Sequence, residues 1–109
     1  MLSLFRRSAK WQEVQWTSGE RDIFLKIQFA EGPGPKGETP SVQKLGPAEG
    51  RPLGEVDEAE LVREVLAAVT AYNKKNLCAL RVAGIRYRPS PDTSPADHGA
   101  AARKLLNLM

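Results

Sequence analysis

The 109-residue chain has one cysteine and one histidine. A single thiol, Cys78, cannot close a disulfide within the chain, so nothing argues for a stapled extracellular scaffold. Zinc sites built on cysteine and iron–sulfur clusters need several thiolates and are excluded for the same reason. His98 with scattered carboxylates makes a poor metal set. No metal and no cofactor is therefore expected, and a cytoplasmic home is the default expectation. No apolar run approaches the roughly 20 residues that span a bilayer, so an integral membrane protein is not expected. Charge of one sign is also scarce: 16 basic against 13 acidic side chains leave a net +3. A dedicated DNA binder carries a stronger basic stripe.

What is present is a globular composition, 41% hydrophobic and 27% charged, which suits one domain over residues 1–109. The surplus charge is uneven: residues 1–30 carry +2, residues 31–75 carry −2 and residues 76–109 carry +3. Residues 1–10 have no acid, as at the start of a transit peptide, but lack the long apolar stretch of a secretory signal; the plainer expectation is a short N-terminal lead. The abundance of Ala, Gly, Pro and Arg suits a GC-rich bacterial genome.

Trp11–Trp16 alternates loosely, with Val14 and Trp16 on one side and Trp11 and Glu13 on the other; Thr17 to Glu20 reads as a turn. Asp22–Phe29 alternates cleanly. Ile23, Leu25, Ile27 and Phe29 share one face, which predicts a strand with one buried face and an antiparallel hairpin with the preceding segment. Residues 30–56 hold six of the nine glycines and five of the eight prolines. Such density breaks helices and long strands, so a Gly/Pro-rich loop or arm is expected, with a short edge strand over Ser41–Leu45.

Asp57 and Glu60 resemble a capping box, and apolar residues recur at helical spacing through Leu61, Val62, Val65, Leu66, Val69 and Tyr72. These predict a helix over 58–75, closed by Asn76 in a left-handed conformation. Glu58, Glu60 and Glu64 then favour the positive end of the helix dipole and read as structural. Leu77–Arg88 reads as a strand whose parity slips. A bulge near Gly84 places Leu80, Val82, Ile85 and Tyr87 inward and Arg81, Arg86 and Arg88 outward. Ser94, Pro95 and Asp97 open a last helix, with Leu105, Leu106 and Met109 as its apolar contacts. The element order β-β-(β)-α-β-α predicts an α+β fold, a small mostly antiparallel sheet with two helices packed on it.

The motifs that carry chemistry are weak. Gly32-Pro33-Gly34-Pro35-Lys36-Gly37 satisfies the GxGxxG spacing, but prolines follow where a phosphate-binding helix should start. The GxxG within it lacks the flanking helices of a KH loop. His98 beside Asp97 and near Asp92 could orient a general base, yet no nucleophile is placed for it. It reads as a surface helix residue, and Cys78 as core or junction packing. No catalytic residue is assigned, and an enzyme using His98 ranks last.

The outer sheet face is the candidate site: Trp11, Phe24, Lys26, Arg81, Arg86 and Arg88. Aromatic and arginine side chains together mark protein-contact hot spots, and they also stack bases and meet phosphates. The first expectation is a non-enzymatic protein–protein interaction or dimerisation module, with a protein partner or a second copy pairing at the edge strand beside the arm. The alternative is an RNA or single-stranded DNA binder using the arginines and Lys26. Against both stand two plainer expectations: that the second helix covers this face, or that these side chains simply pair with each other across strands.

Overall fold

A computed structural model of the chain describes residues 10–18, 21–31, 39–47, 53–91 and 93–108. Its elements are β1 (Lys10–Ser18), β2 (Arg21–Glu31), β3 (Ser41–Lys44), α1 (Glu58–Asn76), β4 (Leu80–Arg88) and α2 (Pro95–Asn107). The fold is α+β, and the four strands form one sheet in the order β1-β2-β4-β3. The first two neighbours are antiparallel and β3 runs parallel to β4. A parallel neighbour needs a crossover, and α1 supplies it between β3 and β4. The GxGxxG segment, Asp92 and Met109 lie outside the described residues. Thr17 and Ser18, expected in a turn, still pair in β1, opposite Asp22 and Arg21.

The slipped parity of β4 is resolved by a bulge. Gln28 pairs with Gly84 while Phe29 pairs with Val82, so Ala83 is the extra residue. One residue added to a period of two returns Val82, Ile85 and Tyr87 to a common face. They join Val14, Ile23, Leu25, Ile27 and Phe29 in one apolar cluster with both helices. Leu80 packs against that cluster and is partly buried.

Helix α1 contributes Leu61, Val65, Ala68 and Val69 at helical spacing. Asp57 caps it by accepting from the Glu60 amide at 3.2 Å, but the Glu60 carboxylate turns to Arg63 instead of completing a box. Leu77, not Asn76, takes the left-handed conformation at its end, with φ 52°. Asn76 donates its side-chain amide to the Tyr72 carbonyl. Helix α2 has a complete capping box between Ser94 and Asp97. Its buried residues include Gly99, Ala101 and Ala102 beside Leu105 and Leu106. A Cβ on Gly99 would stand 2.9 Å from Glu64 of α1, so the small residue permits the close approach of the two helices. Leu66, apolar at helical spacing, is left exposed.

Both helices therefore lie on one side of the sheet and share one core with it. The segment between β2 and α1 is tied down where it is described. Leu45 donates its amide to the Tyr87 carbonyl at 2.8 Å, and Gly54 donates to the Pro89 carbonyl at 2.9 Å.

Candidate functional site

The pairing register lays out the outer face in three rows across the sheet. Trp11, Gln28, Gly84 and Ser41 form the first row; Glu13, Lys26, Arg86 and Gln43 form the second. Gln15, Phe24 and Arg88 form the third. The alternation that buries Ile23, Leu25, Ile27 and Phe29 beneath the sheet necessarily lifts Phe24, Lys26 and Gln28 above it.

Within this grid the side chains pair across strands. The Arg86 guanidinium lies 4.3 Å from the Trp11 ring centroid, and the Arg88 guanidinium 4.8 Å from that of Phe24. Both distances are those of cation–π stacking. The Trp11 ring crosses β2 to reach β4: a Cβ on Gly84 would meet Trp11 Cη2 at 3.0 Å. Glycine at 84 thus clears the floor on which the indole rests. Lys26 pairs with Glu13 at 3.7 Å. Arg88 also donates from Nε to the Gly46 carbonyl at 2.8 Å, which ties the end of β3 to the same face.

Five of the six predicted site residues come together in these rows. Arg81 is set apart: it pairs with Ala30 beyond the bulge and lines a groove with Asn73, Cys78 and Leu80. Gln28, on β2, and Glu13, on the terminal strand β1, belong to the same face but are not among the expected site residues. Their parity alone could have found them, since both alternate outward with Phe24 and Trp11.

His98, expected on the surface, is fully buried. It lies on the stripe of α2 that faces the core, with Ala101, Ala102 and Leu105. Its Nδ1 is 2.9 Å from the Ser94 carbonyl oxygen, so Nδ1–H donates and Nε2 is the bare acceptor. Nε2 is buried with no hydrogen-bond partner among the described residues. The imidazole meets the Tyr87 ring edge-on, with centroids 6.1 Å apart. Burial lowers its pKa below 6.5, against the opposing effects of the Ser94 hydrogen bond and the Asp97 charge. The ring is held through Nδ1 by the Ser94 carbonyl, and the Asp97 carboxylate accepts from the Ser94 amide at 2.9 Å.

Cys78, expected in packing, is exposed where α1 hands over to β4, and its Sγ donates to Asn73 Oδ1 at 3.2 Å. Glu58 accepts from the Tyr87 hydroxyl at 2.7 Å. Burial and then this carboxylate push the Tyr87 pKa up, which keeps the phenol protonated. A groove of about 220 Å³ runs between the ends of the two helices, lined by Tyr72, Lys75, Arg103 and Leu106. Among the described residues no group of three or more His, Cys, Asp or Glu could hold a metal ion. No helix among them is long and apolar enough to cross a membrane. No family model, curated protein or solved structure matches the chain.

Proposed function

We propose that the chain is a non-enzymatic protein-interaction module that docks an acidic segment of a partner protein on the outer sheet face. The carrying observation is that both helices sit beneath the sheet, while Trp11, Phe24, Lys26, Arg86 and Arg88 share the opposite side. Aromatic and arginine anchors of this kind dominate binding energies at protein interfaces. Stacking holds each guanidinium plane in place before binding, so less side-chain freedom is lost when its N–H groups meet a carboxylate. A cytoplasmic setting belongs to this reading, supported by a lone, exposed thiol that has no disulfide partner.

Protein contact is favoured over nucleic acid by the same geometry. Bases stack on open aromatic faces, and here a guanidinium already covers one face of each ring. The carboxylate of Glu13 also stands beside Lys26, in the middle of the rows where phosphates would run.

The test is affinity capture from native host lysate, with and without nuclease, using the wild-type chain and the double variant W11A/F24A. The expected result is a stoichiometric protein that survives nuclease and is lost with the double variant, whose thermal unfolding stays cooperative. Removal of two anchors should weaken binding at least about tenfold. Equal capture by the double variant overturns the assignment of this face. Loss of the captured material with nuclease, together with steep salt dependence, replaces it with the RNA or single-stranded DNA reading.

A further inference from the structure

Among the described residues the sheet order leaves two edges, β3 at one end and β1 at the other. They are unlike. β3 is four residues long, carries Lys44, and is bounded by Pro40 and by Gly46-Pro47. Short length, lysine and proline are the means by which edge strands avoid pairing with other chains. β1 is nine residues long, and every residue from Lys10 to Ser18 is in continuous register with β2. It holds no proline, glycine or bulge. Alternate residues of such a strand turn their N–H and C=O groups away from the one neighbour they have.

We infer that two copies of this chain pair antiparallel through β1, about a twofold axis at Val14, to form a continuous eight-stranded sheet. The pattern of β1 selects both occupant and register. An axis normal to the sheet keeps both helical layers on one side and pairs only residues of like face, so it passes through a residue and not between two. Centred on Val14, all nine residues find partners. Glu13 then stands opposite the second copy's Gln15, Trp11 opposite its Thr17, and Lys10 opposite its Ser18. No like charges oppose each other. Centring on Glu13 sets two carboxylates face to face and leaves two described residues of each β1 unpaired. Centring on Gln15 also leaves two unpaired. The longest register is thus the one free of repulsion, and opposed like charges are what destabilise a pairing. Val14 itself is buried on the core face, so its two copies would carry the apolar layer across the seam. The two outer faces then become one surface, with the Trp11–Arg86 stacks flanking its middle. The inference rests on the sheet edges and not on the docking reading, and each can fail without the other.

Gln15 and Glu13 are both exposed in the single chain, so substitutions there test pairing without touching the core. Sedimentation equilibrium of the full chain should show a monomer–dimer equilibrium. Q15E sets carboxylates opposite each other twice across the axis and should raise the dissociation constant roughly two- to thirtyfold. Q15K should lower it by a similar factor, and high salt should shrink both shifts. In a C78S background, oxidised E13C/Q15C should give a covalent dimer, whereas Q43C on the β3 edge should not. A chain that stays monomeric over a wide concentration range overturns the inference. So does a dimer indifferent to both charges at position 15 that E13C/Q15C fails to cross-link.

Discussion

Strand β2 presents two surfaces made by one alternating run of residues. Beneath it, Ile23, Leu25 and Ile27 are at most 2% exposed under two helices. Above it, Phe24, Lys26 and Gln28 are half-buried, and neither described helix lies over them. The lower surface excludes water with apolar side chains from distant parts of the chain. The upper one shelters its aromatics with arginines from the neighbouring strand. The two arrangements do different work. Close packing below is sensitive to every methylene removed. Stacking above leaves charged edges available to a partner and contributes less to stability.

The contrast is broken most sharply by truncating the lower face. Leu25→Ala should cost about 2–5 kcal/mol, the range for a fully buried leucine left over a cavity, measured by chemical denaturation. A loss below about 1 kcal/mol would mean that this layer is loosely packed.

The next effect comes from His98, a polar side chain fully buried in the same layer. His98 resists protonation when folded, whereas in the unfolded chain it titrates near 6.5. Below that value the unfolded state binds a proton that the folded state refuses. The stability is therefore present above about pH 6.5 and falls as pH drops, until folded His98 itself is protonated. The slope from this one group is at most about 1.4 kcal/mol per pH unit. Denaturation curves of the wild type and His98→Leu, compared from neutral pH to about pH 5, should converge or cross in favour of the variant. Parallel pH profiles would show that His98 is not held neutral.

A smaller effect is expected where the lower face reaches the surface. Tyr87→Phe removes the hydroxyl that donates to Glu58 and should cost about 0.5–1.5 kcal/mol by denaturant titration. The low end is expected, because exposed Glu58 recovers water. The smallest effect belongs to the upper face. Arg86→Ala unstacks Trp11 and should cost only about 0.5–1 kcal/mol. A cost comparable to that of Leu25→Ala would erase the distinction between the two faces.

Local patterns carried much of this fold. The clean alternation of Asp22–Phe29, the caps at Asp57 and Ser94, and the helical spacing of Leu61, Val65 and Val69 each depend on near neighbours. The bulge was also readable, because Gly84 sits where the parity of β4 breaks. His98 was misread for the opposite reason. A polar ring counts as surface in any local pattern, and only the packing of α2 against the sheet shows that position 98 points inward. Cys78 differs the other way: it sits at the junction of α1 and β4, but exposed and bonded to Asn73 instead of packed.

The candidate face was legible as parity but not as geometry. Sequence placed Phe24, Lys26, Arg86 and Arg88 on one side, since two neighbouring residues in a strand cannot share a face. That Arg86 stacks on Trp11, that Lys26 meets Glu13, and that Arg81 stands apart follow from strand register, which brings together residues as far apart in the chain as Trp11 and Arg86.

By itself, then, the sequence determined the elements, the N-caps at Asp57 and Ser94, the bulge and the alternation of the strands, because these rest on short-range sterics and the periods of helix and strand. Tertiary structure alone decided that both helices lie on the same side, that β4 runs between β2 and β3, and that β1 ends the strand order of the described residues. Those outcomes depend on contacts between segments far apart in the chain, where burial of shared apolar surface, and not local preference, selects the arrangement.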